Sequence, residues 1–415
     1  MNKPMLIVIA VFVAMLALDL VIEWLNLRAW TSLLPEEFNG YYDPGRYATA
    51  QKYLADRTVS GLAREIALVL FLAAVMISGG FNWADSAARG LFAGEAGRGI
   101  FFAGVVFAGF VLLSLPFDIY DTFVIEEKYG FNRTTPKTFA LDLVKSLVIT
   151  GLFGAIVLAA VVLIFEKAGS WAWVYCWAAV SLFQVFIMYV APVLIMPLFN
   201  KFSPLEEGGL KARIEQLARS QNYQARGIYV IDGSRRSSKA NAALTGFGKN
   251  KRIMLYDTLI NKMDENEIVA VLAHEIGHYR HRHVMKFMLI SLAVGAAGFY
   301  IFSLVSGHPL LFRAFGAQHV SVYAALVFCA IILMPLNRLL AAGTNAVSRS
   351  FEYAADRCGA ELSRDPGALA SALKKLSADS LSNLKPHFLK VFFDYSHPPV
   401  LDRIQAMCQD HPGLM

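Results

Sequence analysis

Seven stretches of the chain are apolar over a length that can cross a bilayer: residues 5–26, 61–80, 99–117, 143–165, 171–198, 284–305 and 320–342. A spanning helix needs about 20 such residues, so each stretch predicts one transmembrane helix. The first run follows Lys3 as a secretory signal would, but no small-residue cleavage site follows it. Its apolar pattern continues past Asp19 to Leu27, which predicts a retained span. Two segments, 200–283 and 343–415, are polar and long enough to fold outside the bilayer on one shared side. Within the first, Gly227–Asp232 and Arg252–Tyr256 are rich in Ile, Val and Tyr and read as short strands. The expected organisation is therefore spans one to five in 1–199, a polar segment in 200–283, spans six and seven in 284–342, and a second polar segment in 343–415. No internal repeat or low-complexity tract interrupts it.

Composition agrees with the pattern. The 415 residues are 56% hydrophobic and only 17% charged, which excludes both a soluble globular protein and a disordered chain. The net charge of +6 is too mild to imply nucleic acid. Where the positive charges sit carries more information: the candidate outer segments hold only Lys3, Arg89, Arg98, Lys167 and Arg313. The positive-inside rule then places the N-terminus outside and both polar segments in the cytoplasm. Cys176, Cys329, Cys358 and Cys408 are scattered, giving neither a disulfide framework nor a thiolate zinc site. Asp19 and Glu23 share one helical face, as either an interfacial pair or part of a polar interior.

The candidate chemistry lies in Val271–His278, which contains His-Glu-x-x-His. His274 and His278 are about one helical turn apart, so both can grip one cation from a single face. Glu275 points aside, where it can reach a water on that cation and act as general base. Asp264 and Glu267 form a capping signal ahead of Ile268, Val269, Val271, Leu272 and Ile276, so the motif falls on an amphipathic helix. His281 and His283 alternate with Arg280 and Arg282 and are expected on a solvated or lipid-facing basic surface. A catalytic zinc usually takes three protein ligands, and Glu352 is the best candidate for the third, with Asp356 one turn on to orient a ligating histidine. Spacing alone equally allows an ordinary acidic helix face paired with Arg349 or Arg357. Likewise His397, held before Pro398 and Pro399, is either a loop histidine or a donor to an oxyanion.

Taken in order, several motifs resemble the integral-membrane CAAX prenyl proteases, the type I zinc metalloproteases. They are Glu126–Asn132, Pro197–Pro204, Gly233–Ser238 with Asn241 and Ala242, Lys249–Ile253, His274–His278, Ser348–Asp356 and Ser396–Pro398. The resemblance extends over nearly the whole chain. It implies an all-α membrane protein, seven transmembrane helices around an intramembrane chamber, with a mostly α, small-β zinc-peptidase domain in the cytoplasm. It also implies one Zn2+ per chain on His274, His278 and Glu352, Asp356 behind a ligand, and Glu275 with His397 as catalytic groups. Asn241 and Ala242 would lie on an edge strand that pairs with extended substrate. A polar-lined chamber would account for Asp118 and Asp121 at the end of the third span.

The expected partners are a polypeptide substrate, prenylated or otherwise hydrophobic, and membrane lipid, with no nucleic acid. The chain has no basic retrieval tail before Met415, so a bacterial inner membrane is expected, with the endoplasmic reticulum as the alternative. Two other functions fit parts of the pattern. One is a quality-control protease like the HtpX heat-shock family, and the other an inactive transporter or lipid-binding chamber.

Overall fold

The computed structural model describes residues 1–31, 33–246 and 250–410, so Lys249 and the tail 411–415 lie outside the described residues. Among the described residues seven helices are long and apolar enough to cross a membrane, one at each expected stretch: Lys3–Arg28, Gly45–Ile77, Glu95–Glu126, Pro136–Lys167, Gly169–Phe199, His283–Val305 and Val322–Ser363. Their starts are written locally. Asn2, Asp43 and Thr135 each cap a helix by accepting a backbone N–H three residues on, and each of these helices has proline in its first turn. Each span packs on the next, and the seventh closes on the first. The result is a ring. At most a third of each apolar window is buried, so most of the span surface is not covered by protein.

Several helices outrun the bilayer. The seventh is 42 residues long, roughly 63 Å at about 1.5 Å per residue and twice the ~30 Å hydrocarbon core. Its last turns carry Glu352 and Asp356 into the polar domain. The second begins at Pro44 rather than near residue 61, because the polar turns ahead of its apolar run continue the same helix. Tyr53 there donates to Glu126 Oε1 at 2.5 Å, and Asp56 accepts from Lys128 at 2.6 Å and from Tyr129 at 2.7 Å.

Several charged groups on the spans form ion pairs. Arg64 reaches Asp118 at 2.7 Å and Asp121 at 3.2 Å, and Arg57 reaches Asp121 at 3.3 Å. Asp19 lies 2.6 Å from Arg338 of the seventh span, which also pairs with Asp394, while Glu23 pairs with Lys390. Such pairing is what makes ionisable groups affordable at membrane depth.

The polar domain is built around four strands, β1 (Phe202–Pro204), β2 (Gly227–Ile231), β3 (Ala242–Thr245) and β4 (Arg252–Tyr256), in the order β1-β2-β4-β3. The two expected strands form the parallel central pair, and β1 and β3 flank them antiparallel. β3 is therefore an edge. One face of the sheet buries Ile253 and Leu255 against Ile268, Leu272 and Ile276 of the helix Glu265–Arg280. A second core outside the apolar spans joins Phe38, Tyr42 and Tyr47, ahead of and at the start of the second helix, to Leu369, Leu373 and Ile404 near the C-terminus.

Candidate active site

Helix Glu265–Arg280 is fixed at its start. Asp264 Oδ1 accepts from the Glu267 amide and Glu267 Oε2 accepts from the Asp264 amide, both at 3.0 Å, completing the capping box. Glu267 is buried and also accepts from Ser371 at 2.6 Å and Lys375 at 2.7 Å, which ties the helix to Pro366–Asp379. Farther along, it crosses the seventh helix where both present glycine. A Cβ on Gly277 would sit 3.0 Å from the Ala355 carbonyl oxygen, and one on Gly359 2.9 Å from His274 Cα. The two backbones can approach closely only because neither glycine has a side chain. That approach sets the histidines against the carboxylates.

His274 Nε2 and His278 Nε2 are 3.2 Å apart. Glu352 stands opposite, with Oε2 3.5 Å from His274 Nε2 and Oε1 3.3 Å from His278 Nε2. One ligand atom from each of the three residues fits within a 4.8 Å cluster. Glu352 Oε2 is buried and has no hydrogen-bond partner among the described residues, so the cluster leaves one carboxylate oxygen unsatisfied. Two imidazole nitrogens and one carboxylate oxygen are a donor set that suits zinc, with a fourth position left open. The residues present fit a metal.

Behind His274, its Nδ1 lies 2.9 Å from Asp356 Oδ1. Burial disfavours charge on His274, but the Asp356 and Glu352 carboxylates outweigh it and raise the pKa to about 9. The pocket thus attracts positive charge. Burial also raises the pKa of the Glu275 carboxyl, although His274 and His278 beside it pull the other way.

Arg403, on the helix Val400–Asp410, was not anticipated from the sequence. It is buried, and donates to Asp356 from Nε at 2.8 Å and from Nη2 at 2.6 Å. Its Nη1 lies 3.5 Å from Glu352 Oε2. The available signal was its position just after Ser396–Pro399, on the helix those prolines introduce. His283 departs from expectation outright. It is 3% exposed rather than on a basic surface, its ring is stacked on Phe351 with centroids 4.0 Å apart, and its Nδ1 is 2.9 Å from His278 Nδ1. The cause is Arg282, whose left-handed backbone (φ 55°) breaks the helix and turns the next residue back under the motif. His281 is exposed, as expected.

The other anticipated residues meet at one place. Asn241, Ala242, His274, Glu275, His278, Glu352 and His397 line a cavity of about 330 Å³ together with Arg403, Leu259, Leu369 and Leu373, with Asp356 behind His274. Ala242 opens the edge strand β3. His397 is exposed to the cavity, with Nε2 3.3 Å from Glu352 Oε1. A second cavity, of about 840 Å³, also reaches Glu275, His278 and Glu352, and is lined by Phe287 of the sixth span and Phe351 of the seventh helix, packed edge-on against each other, and by Lys251, Arg280 and Arg282. The remaining motifs hold these parts together. Glu126 accepts from Lys239 at 2.9 Å, Phe131 O accepts from the Ser238 amide at 3.1 Å, and Arg236 pairs with Asp142 at 2.8 Å.

Comparison with known proteins extends the picture from the site to the whole chain. Residues 23–201 match the family described as CAAX prenyl protease N-terminal, five membrane helices, and residues 204–410 match peptidase family M48. A CAAX prenyl protease 1 homolog of Arabidopsis thaliana is 34% identical over 396 residues, 92% of this chain and 93% of that one. A human CAAX prenyl protease 1 homolog is 32% identical over 430 residues, 91% of this chain and 89% of its own length. The crystal structure of S. mikatae Ste24p superimposes with a TM-score of 0.92 at 28% identity, over 98% of this chain and 99% of that chain. A membrane-spanning ring, a two-histidine, one-glutamate pocket and relatives matched end to end all agree: the chain belongs to the CAAX prenyl proteases of peptidase family M48.

Proposed function

We propose that the protein is a zinc endopeptidase that cleaves prenylated CAAX polypeptides. His274, His278 and Glu352 hold one zinc ion, and Asp356 orients His274. The observation that carries the reading is the junction of two cavities at Glu275, His278 and Glu352, one beside the edge strand β3 and one walled by Phe287 and Phe351 of the spans. A peptide and an attached lipid can enter from different sides and meet at the same carboxylate.

Zinc supplies Lewis acidity when bound, polarising a carbonyl and lowering the pKa of its water toward about 7. The protein's own groups do the rest. Ala242 pairs its backbone with extended substrate along β3, and Asn241, just ahead of that strand, holds its start, its carbonyl accepting from the Tyr256 amide and its Oδ1 from the Ala242 amide. Glu275, made more basic by burial, takes the proton of the attacking water and delivers it to the departing amine. His397 donates to the oxygen that gains negative charge. Arg403 holds Asp356 and lies beside the substrate cavity.

Residues 200–283 and 343–415 act as one cytoplasmic peptidase unit, with the N-terminus on the opposite side of a bacterial inner membrane. The test is cleavage of matched farnesylated and unlipidated CAAX peptides by zinc-loaded protein beside Glu275→Gln. The expected result is preference for the farnesylated peptide and a rate at least ~100-fold lower in the variant, as loss of a general base should give. Equal cleavage of both peptides would reject the prenyl requirement in favour of a quality-control role. Full activity in Glu275→Gln would reject the mechanism.

A further inference from the structure

His274 and His278 each have an outer neighbour at 2.9 Å. For His274 it is the Asp356 carboxylate, and for His278 it is another imidazole, His283, through the two Nδ1 atoms. A ring nitrogen that binds a cation carries no proton, so a neutral histidine bound through Nε2 must carry its proton on Nδ1. His278 Nε2 is the atom facing His274 and Glu352. Its Nδ1–H must then donate to His283 Nδ1, and His283 must keep its own proton on Nε2. Were His283 to donate instead, the proton of His278 would move to Nε2 and stand where the cation should be.

On these grounds, and on the reading of His274, His278 and Glu352 as a zinc site, we infer that His283 is a positioning residue that selects the metal-binding tautomer and ring orientation of His278. Two further features suit it to the task. Its ring lies parallel to Phe351, within 2°, and Phe351 immediately precedes Glu352, so one packed pair orders groups beside two ligands. It is also nearly inaccessible to water, leaving His278 as the acceptor's nearby donor. Residue 283 is five positions from His278 and would fall off its face in an unbroken helix. The left-handed Arg282 resets the chain direction and delivers the imidazole to that face.

The experiment compares zinc affinity, by competition with a chromophoric chelator, for full-length wild type, His283→Phe and His283→Asn in detergent, with the unfolding temperature of each metal-free protein alongside. Phenylalanine keeps a ring on Phe351 and removes the acceptor, whereas asparagine offers an amide oxygen near the place of Nδ1. The expected result is about 10- to 100-fold weaker zinc binding in His283→Phe, the usual effect of losing an outer partner. His283→Asn should recover most of the affinity. Wild-type zinc affinity in His283→Phe, or an Asn variant as weak as the Phe variant, would overturn the assignment. If the Phe ring is not tolerated, His283→Leu serves in its place with the same outcomes. A wild-type protein that binds no zinc would reject the metal site itself, a separate failure.

Discussion

The helix Val322–Ser363 meets its neighbours differently at its two ends. At its start, Tyr323 and Phe328 are fully buried among aromatic rings. Phe328 stacks on Phe315 at 4.3 Å and meets Phe81 edge-on at 5.4 Å, while Tyr323 covers Gly99. At its other end, Glu352 and Asp356 are also buried but touch three histidines and an arginine. Apart from the Tyr323 hydroxyl, which donates to buried Asp85, the first end is apolar packing, which is non-directional and scales with area and so can be repacked with little change of purpose. Buried charges hold only if each finds its partner at the right distance, so the second end fixes a geometry. One helix therefore carries an anchor and a reactive constellation, and the two should fail in different ways.

The sharpest contrast is between Asp356→Ala and Phe328→Ala. Each should cost about 3–5 kcal/mol of stability, the first by stranding buried Arg403 and the second by opening a cavity. Only Asp356→Ala should also weaken zinc, by about 10- to 100-fold. Thermal unfolding of metal-free protein and zinc titration separate the two. Zinc loss in Phe328→Ala would show that the ends are coupled.

A finer contrast uses the glycines. An added Cβ would stand 2.8 Å from Tyr323 Cβ at Gly99 and 2.9 Å from His274 Cα at Gly359. Alanine at either site should cost roughly 1–3 kcal/mol from overpacking. Gly359→Ala should displace His274 and lower both zinc affinity and turnover, and Gly99→Ala should leave both unchanged. The smallest effect is expected of Arg282→Gly. It should stabilise the protein by about 0.5–1 kcal/mol, because relief of the left-handed backbone is partly offset by glycine's freedom in the unfolded chain. Zinc affinity should hold, since the same turn still delivers His283. A drop would mean that the Arg282 side chain itself acts in the site.

Much of the site is legible locally. His274, Glu275 and His278 share one turn, Asp264 and Glu267 announce that turn's helix, and Glu352 and Asp356 repeat the same spacing. His283 was misread for an equally local reason. Its basic neighbours argue for a surface, and nothing in their order reveals that Arg282 adopts a left-handed conformation. Arg403 was missed because its partner lies 47 residues away on another helix, at no characteristic spacing. The second span's early start at Pro44 was hidden because hydropathy marks where a helix crosses lipid rather than where it begins.

The sequence by itself determined the seven spans, the capped motif helix, the two central strands and the residue types able to grip a cation. Each follows from interactions among residues close along the chain, or from the length of an apolar run against a bilayer of fixed thickness. Only the tertiary structure decided that the spans close into a ring, that Asp19 and Glu23 are neutralised by Arg338 and Lys390, and that Arg403 and His283 stand behind the pocket. Those depend on which surfaces of elements distant in the chain meet. Periodicity records which face a residue occupies, and carries no record of the partner that the face will find.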